Sequence, residues 1–272
     1  MKYIVAVSGG VDSVVLLDMM SKLPDHKLVV AHFDHGIRPD SGADSAFVRN
    51  LANTYGYEFE TRREELGAKA SESLARERRY EFLRSLAEKH KAKIVTAHHL
   101  DDLVETVAIN LTRGTGWRGL AVFHPSIARP LIDVPKQELI AYAERHNLQW
   151  HEDSTNASDA YLRNRLRSHS IELPADSKRQ LRALHAHQQA LRREINEETK
   201  KLVGEGPTYN RHQLISMPVK AALEVLRVIT ERKLTRPQLE RLLHAVKTSA
   251  AGSKFEAGMG ITIHFTTRNF TL

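Results

Sequence analysis

Short apolar runs alternate with longer amphipathic stretches through the first 150 residues of this chain, and this alternation constrains the fold more than any other feature. The runs KYIVAV and KLVVAHF are nearly continuous and rich in β-branched residues, as is typical of strands buried on both faces of a parallel sheet. Between them, DSVVLLDMMSKL has the apolar spacing and length of a helix that stops before Pro24. Together these segments predict a βαβ unit.

The alternation continues along the chain. Helices are predicted for DSAFVRNLANTYG, SLARERRYEFLRSLAEKH, DDLVETVAINLTR and KQELIAYAERHN, and strands for YEFETRR and KIVTAHH. We therefore expect an α/β fold, a doubly wound parallel sheet whose ligand lies at the C-terminal ends of the strands.

The character of the sequence changes after this region. A long polar helix pattern after Pro174 predicts a connector, which GEGPTYN breaks. Two short helix patterns, VKAALEVLRVITERK and RPQLERLLHAVKT, precede ITIHFTTRNFTL, which predicts a terminal hairpin. We expect a catalytic domain over residues 1–172, a long helical connector over 173–205 and a small, mostly helical C-terminal domain over 206–272.

Composition excludes several classes of protein. No leader pattern is visible, and no apolar run approaches the roughly 18 residues needed to span a bilayer, so we expect a cytoplasmic protein with no membrane partner. The chain contains no cysteine. This excludes disulfide partners, thiolate metal sites, persulfide carriers and cysteine nucleophiles.

Basic charge is concentrated in residues 206–272, which hold ten Lys or Arg residues, Arg211 among them, against four acids. The formal net charge of the whole chain is +7, so the first 205 residues are nearly neutral. A basic segment joined to a neutral body indicates polyanion binding, because Lys and Arg neutralise phosphates and release counterions. A basic surface that serves solubility is the alternative.

The segment AVSGGVDSVV joins the first strand to the first helix. Gly9 and Gly10 permit a tight turn and a close approach to a ligand, while amides from Val11 to Ser13 point from a helix N-terminus toward any anion. The loop is neither the lysine-bearing Walker sequence nor the dinucleotide GxGxxG. A glycine turn with Asp12 or Ser13 as the helix cap is the alternative.

SGGVDS after a first strand resembles the pyrophosphate-binding loop of the N-type ATP pyrophosphatases, which cleave ATP between the α and β phosphates. Further segments, in order, resemble signatures of the tRNA(Ile)-lysidine synthetase family; they are HFDHGIRPDSGAD, LARERRYEFL, HHLDDLVETVAINLTRGTGWRGL, RPLIDVPKQELIAY and WHEDSTNASDAYLRNRLR. The resemblance covers residues 2 to about 168 and implies an adenine nucleotide alpha hydrolase-like fold. Residues 206–272 loosely resemble the small tRNA-contacting domain of shorter members.

The resemblance implies a reaction in two steps. The family adenylates the carbonyl oxygen at C2 of the wobble cytidine of tRNA(Ile) with a CAU anticodon. The ε-amino group of free L-lysine then displaces AMP to form lysidine. ATP and Mg²⁺ are therefore the expected cofactors, and tRNA(Ile) and lysine the expected partners; the oligomeric state stays open.

The loop and the second strand supply the expected ATP site. The phosphates would be bound by six consecutive residues of the loop: Ser8, Gly9, Gly10, Val11, Asp12 and Ser13. A carboxylate at Asp12 makes sense there only if a Mg²⁺ ion separates it from the oxyanions. Ala31 and Phe33 end the second strand, where backbone groups would contact adenine, with core packing as the alternative.

Three acids are expected to take part in the chemistry. Lysine's amine has an ordinary pKa of about 10.4, so it arrives as an ammonium group that must lose a proton, and Asp34 would bind the cation and relay its proton. Asp34 bonded to loop amides before Gly36 is the alternative. Asp101 and Asp102 start a helix and are expected to position both Mg²⁺ and the substrate, with Asp101 as a metal ligand. Helix capping is the alternative explanation for these two acids.

Basic and acidic residues farther along complete the candidate site. Arg113 would neutralise charge on the α-phosphate, and Gly114, which follows it, would contact the nucleotide. A surface arginine near a helix C-terminus is the alternative for Arg113. Glu138, with Asp133, is expected to capture lysine. Three closely spaced arginines are predicted to form a loop that contacts tRNA phosphates; they are Arg163, Arg165 and Arg167. A solvated basic face is the alternative.

Other functions explain part of the sequence. Relatives that thiolate tRNA generally use cysteines, and amide-forming relatives would need ammonia from elsewhere. A non-catalytic tRNA-binding module would explain the basic segment but not the acids at strand ends. A metal-dependent phosphohydrolase would leave SGGVDS unexplained; its metal ligands would be Asp34, His35, His98, His99 and Asp101.

Overall fold

The computed structural model describes residues 1–36, 41–67, 70–151, 173–203, 206–231 and 233–272. It divides into two compact units, residues 1–186 and residues 187–272. The predicted tRNA-contacting arginines lie outside the described residues; they are Arg163, Arg165 and Arg167.

A parallel sheet forms the centre of the first unit. Its strands are β1 (Lys2–Ala6), β2 (Lys27–Asp34), β3 (Glu58–Arg63), β4 (Lys93–Val95) and β5 (Ile127–Ala128). They are ordered β3-β2-β1-β4-β5, with every neighbouring pair parallel. The predicted doubly wound sheet is confirmed, although β5, two residues long, was not predicted.

Helices cover both faces of this sheet. They are α1 (Val11–Ser21), α2 (Ser41–Thr54), α3 (Glu72–His90), α4 (Leu100–Thr112), α5 (Trp117–Leu120) and α6 (Lys136–Arg145). Alternate residues of one strand enter different cores: Val5 and Val30 belong to a cluster that includes residues of α1, α2 and α6, whereas Ile4 and Val29 belong to one that includes residues of α3. Burial on both faces explains why the strand sequences are continuously apolar.

The strand order creates a crevice above the sheet. From β1 the chain winds outward to β2 and β3, then crosses to β4 and β5 on the other side of β1. Because the winding direction reverses between β1 and β4, the loops at their carboxyl ends diverge there, and ligands of such sheets bind at this point.

A long polar helix, α7 (Ala175–Val203), matches the helix predicted for the connector. Its residues 175–186 belong to the first compact unit and its residues 187–203 to the second. Across the described ranges, no helix is long and apolar enough to cross a membrane.

The second unit combines helices with a small antiparallel sheet. Its helices are α8 (Arg211–Ser216), α9 (Val219–Ile229) and α10 (Arg236–Thr248), and its strands are β6 (Thr208–Asn210), β7 (Lys254–Gly258), β8 (Ile261–Phe265) and β9 (Asn269–Thr271). The strands are ordered β6-β9-β8-β7. The two helices predicted here are present as α9 and α10, and the predicted hairpin is β8 with β9. The other two strands were not predicted.

Arg211 has a structural position in this unit. It is buried, and its guanidinium donates hydrogen bonds to the carbonyl oxygens of Val246 at 2.7 and 2.9 Å, Ser249 at 2.8 Å and Thr266 at 3.0 Å. These bonds satisfy the buried charge locally. Arg211 therefore contributes to the net charge of residues 206–272, but it is not one of the exposed basic residues of this segment.

Candidate active site

A cavity of about 420 Å³ opens at the carboxyl ends of β1, β2 and β4. This is the edge of the sheet at which the sequence predicted a ligand. Eight of the predicted site residues line the cavity, namely Ser8, Gly10, Asp12, Ser13, Ala31, Phe33, Asp34 and Asp102.

The glycine loop forms one wall of the cavity. Gly9 has a φ of +98°, which glycine adopts far more readily than other residues. The Ser13 hydroxyl accepts hydrogen bonds from the amides of Ser8 at 3.2 Å and Gly9 at 3.3 Å, and it donates one to the Gly10 carbonyl at 2.8 Å. Gly10 is the N-cap residue of α1, without a side-chain cap, so capping by Asp12 or Ser13 is not the reason for this sequence.

Acids from two elements surround the buried ring of His99. Its Nε2 lies 3.7 Å from Asp12 Oδ2 and 3.5 Å from Asp102 Oδ2, and its Nδ1 lies 3.7 Å from Asp101 Oδ2. Asp102 also accepts a hydrogen bond from the His99 amide at 3.1 Å as part of a capping box. The capping alternative is thus correct for Asp102, which lines the cavity as well.

Two lysines hold the carboxylates near His99. Lys136 Nζ lies 2.6 Å from Asp12 Oδ1, and the Lys136 amide donates to Asp101 Oδ2 at 2.7 Å. Lys178 Nζ lies 2.5 Å from Asp101 Oδ1. Burial alone would raise the pKa of Asp101, but the hydrogen bonds from Lys178 and the Lys136 amide lower it further than burial raises it. Asp101 is therefore an ionised, fully engaged carboxylate that does not line the cavity.

Asp34 is the most enclosed acid of the cavity wall. Its side chain is 3% exposed, accepts a hydrogen bond from the Gly36 amide at 2.9 Å and lies 3.4 Å from Nη1 of Arg63. Burial raises the pKa of Asp34, but the Gly36 amide and the Arg63 charge act in the other direction, and the net shift is downward. Asp34 therefore makes the bond to a loop amide that was the alternative to a functional role, and it also lines the cavity.

The wall contributed by α3 carries two arginines that the sequence analysis missed, Arg76 and Arg79. Two histidines near them are neutral: burial lowers the pKa of His35 to about 4 and that of His98 to about 3. The signal was the spacing of three between the arginines in LARERRYEFL, which puts them on one face of a helix.

Other predicted residues lie outside the cavity lining. Arg113 and Gly114 are exposed at the end of α4, about 18 Å along the helix axis from Asp101 at 1.5 Å per residue. Glu138 is exposed in the first turn of α6. Asp133 forms an ion pair with Arg182 at 2.8 Å. Gly9 and Val11 belong to the loop but are not among the residues that line the cavity.

The histidines and acids of the alternative phosphohydrolase do not make a metal cluster. A metal cluster would need at least three His, Asp or Glu ligand atoms within 4.8 Å of one another. Among the described residues, this condition is met by Glu58, Glu60 and His90. These residues stand at the start of β3 and the end of α3, at the opposite edge of the sheet. Ammonium groups of Lys2 and Lys89 already bond to His90 and Glu60.

Comparisons with known proteins agree with this geometry. The family model described as PP-loop domain matches residues 1–173. A curated protein named tRNA(Ile)-lysidine synthase from Thermus thermophilus is 43% identical over 172 residues, which is 60% of this chain and 34% of that protein. Its namesake from Thermotoga maritima is 38% identical over 183 residues, which is 62% of this chain and 44% of that protein.

The fold is also found among solved structures. The U34-tRNA thiolase from Methanococcus maripaludis, with its 4Fe-4S cluster, is similar at a TM-score of 0.57 and 20% identity, over 70% of this chain and 71% of that chain. At this identity the similarity concerns the fold alone. The chain spans less than half the length of these two curated relatives.

Proposed function

We propose, from the premise that this chain belongs to the PP-loop domain family, that it uses ATP to modify tRNA(Ile), forming lysidine at the wobble cytidine. The observation that carries the proposal is the shared cavity: the Ser8 and Gly10 loop opens onto the same space as Ala31 and Phe33 at the end of β2. A phosphate chain and a base thus have adjacent walls.

The glycine loop would hold the pyrophosphate that leaves. The amides at the start of α1 carry the positive end of the helix dipole, which favours an anion, and Gly10 lets it approach the backbone. Ser13 keeps the loop in this shape through its bonds to Ser8, Gly9 and Gly10.

The donor set fits Mg²⁺, a hard cation that prefers carboxylate and phosphate oxygens. Asp12 and Asp102 line the cavity, so these two would hold the ion, which would neutralise charge on the triphosphate. Asp12 would have to use its Oδ2 or give up the bond between its Oδ1 and Lys136, and Asp101 could join only after its bond to Lys178 is broken.

Asp34 would receive the lysine substrate's ammonium group. Its downward-shifted pKa makes it a good partner for a cation and a weak terminal proton acceptor. We therefore assign it the role of holding the amine and relaying the proton toward the phosphate of the departing AMP.

A sulfur-transfer function of the kind carried out by the similar thiolase receives no support from this chain, because none of the 272 residues is a cysteine. Lysine, in contrast, is a nucleophile that needs no protein-bound carrier. Amine transfer therefore agrees better with the residues present.

The proposed function is tested by product analysis. With Mg-ATP, lysine and tRNA(Ile), we expect pyrophosphate and AMP to be released in equal amounts, and release to require the tRNA. Release of inorganic phosphate and ADP instead would contradict cleavage between the α and β phosphates.

Glu138→Gln should raise the KM for lysine while adenylated tRNA still forms, because Glu138 would contribute to binding the substrate and not to activating ATP. Initial rates over a lysine series give the KM, and pyrophosphate release measures adenylation. Glu144→Gln, on the same helix and also exposed, is the matched control and should leave both unchanged. An equal loss in both steps for Glu138→Gln would reject this assignment.

Replacing exposed cations of the second unit should flatten the salt dependence of tRNA binding. Arg241, Lys247 and Lys254 are all exposed. Each contact with a phosphate contributes about −0.7 to −0.9 to the slope of log K against log salt. We expect the triple glutamine variant to lose about 2 to 3 from that slope, measured by titration of fluorescent tRNA at several salt concentrations.

The matched control replaces three lysines of the first unit, at the edge of the parallel sheet opposite the cavity. They are Lys27, Lys91 and Lys93, and they are exposed as well. Their loss should change the slope much less. If both triple variants shift it equally, the basic segment has no special role in tRNA binding.

A further inference from the structure

One face of α3 lines the nucleotide cavity. Arg76, Arg79 and Leu83 are spaced by three and four residues, so they project from the same side of the helix, and all three line the cavity. Arg78, between them, points elsewhere: it is exposed and pairs with Glu81 at 3.0 Å.

The buried ring of Tyr80 supports the two arginines. The Arg76 guanidinium lies 5.0 Å from the ring centroid and donates to the Tyr80 hydroxyl at 3.4 Å, and the Arg79 guanidinium lies 5.6 Å from the centroid. Contact with an aromatic ring restricts a long side chain, so Tyr80 limits the positions that the two guanidinium groups can take.

Among the described residues that line the cavity, Arg76 and Arg79 are the Lys or Arg side chains. The lining also holds four acids, Asp12, Asp34, Asp44 and Asp102, and two of them have basic partners outside the lining: Lys136 bonds to Asp12, and Arg63 lies near Asp34. A bound phosphate chain would therefore meet the two arginines as cationic side chains of the cavity wall itself. His35 and His98 add no charge at neutral pH, since their pKa values are lowered to about 4 and about 3.

We propose that Arg76 and Arg79 bind the α-phosphate of ATP and of the AMP that it becomes, opposite the loop that holds pyrophosphate. This inference rests on the proposed ATP chemistry. The two arginines would supply the charge at the α-phosphate that the sequence analysis had expected of Arg113, which is exposed at the far end of α4.

The position of Leu83 favours a nucleotide phosphate over an RNA backbone phosphate. Leu83 is buried and belongs to the same apolar cluster as Ala31 and Phe33. A purine packed on this apolar wall would have its own α-phosphate a short distance toward the N-terminus of α3, where Arg79 and then Arg76 lie. Base and phosphate would therefore contact successive turns of one helix face.

The arrangement stabilises two anions that separate during adenylation. The C2 carbonyl oxygen of cytidine attacks the α-phosphorus, the bond from that phosphorus to the oxygen bridging the β-phosphate breaks, and its electron pair leaves with pyrophosphate. The loop then holds pyrophosphate while Arg76 and Arg79 hold the adenylate on the acceptor, so each product has its own charge partner.

Calorimetric titration of the full chain with AMP, adenosine and inorganic pyrophosphate tests the inference. Arg76→Gln and Arg79→Gln should each weaken AMP binding about tenfold or more, as expected for a charge-assisted hydrogen bond, and leave adenosine binding unchanged. Pyrophosphate binding should change by less than about threefold, because the screened charges act weakly at a distance. Arg79→Lys, which keeps the charge but loses the forked geometry, should give an intermediate AMP affinity.

Arg78→Gln is the matched control, and its AMP affinity should equal that of the unaltered chain. Equal losses for AMP and adenosine would overturn the inference, as would equal losses for AMP and pyrophosphate. Unchanged AMP binding with weakened tRNA binding would assign the pair to RNA instead and overturn it too. The expected AMP losses in a protein that forms no lysidine would sustain the inference and contradict the proposed function alone.

Discussion

Gly10→Val should reduce tRNA-dependent pyrophosphate release by about 100-fold or more while the protein stays folded. Gly10 has φ −74° and ψ 158°, which valine adopts readily, and a Cβ built there meets only Ser8 Oγ, at 3.7 Å. The loss comes from the ligand, because the added methyl groups would occupy cavity space next to the backbone that the phosphate must approach. A displacement of about 1 Å in a reacting group is enough for a loss of this size.

Gly9→Val provides the contrast, since its cost should appear in folding. The φ of +98° at Gly9 is strained for any other residue, and a Cβ would lie 3.5 Å from the Phe47 ring. We expect a loss of about 1–3 kcal/mol in the free energy of unfolding. Thermal melts and pyrophosphate assays of both variants separate the two effects; normal release by folded Gly10→Val would reject the assignment of the loop to ATP.

Asp34→Asn should slow lysine transfer at saturating lysine by about 100-fold or more, which is the usual contribution of a positioned acid or base. Asparagine can still accept the hydrogen bond from the Gly36 amide, but it offers no charge to an ammonium group. Single-turnover transfer to pre-adenylated tRNA measures this step. Pyrophosphate release in the same variant should be close to normal, and a wild-type transfer rate would contradict the role given to Asp34.

The same variant has a predictable effect on acid stability. Because the pKa of Asp34 in the folded state lies below its ordinary value, its carboxylate stabilises the fold above about pH 4, and this stability is lost as pH falls through the lowered pKa. Asp34→Asn should therefore show a shallower decline in the free energy of unfolding on acidification. An identical decline in both proteins would mean that Asp34 is not coupled to folding.

The parallel sheet and the location of the site could be predicted because both follow from local patterns. Strands buried on two faces produce continuous apolar runs such as YIVAV, and the glycine loop stands directly between a strand and a helix. The two-residue β5 could not be found, because a segment so short carries no periodicity.

The assignment of roles to neighbouring acids required the structure. Asp101 and Asp102 are consecutive on α4 and therefore project about 100° apart, so only one of them faces the cavity. Asp101 instead bonds to Lys178, which lies 77 residues later in the chain, and no local sequence pattern predicts this pairing. Arg76 and Arg79 were missed for a related reason, since the direction in which α3 presents its face depends on packing against the sheet.

Lysidine formation by this chain is tested most directly by nucleoside mass spectrometry of tRNA(Ile) incubated with the protein, Mg-ATP and isotopically labelled lysine. We expect a labelled nucleoside whose mass equals cytidine plus lysine minus water, absent when ATP is omitted and absent from a tRNA whose wobble cytidine is replaced by uridine. Unmodified cytidine at that position, in a reaction that nevertheless consumes ATP in a tRNA-dependent way, would contradict lysidine formation.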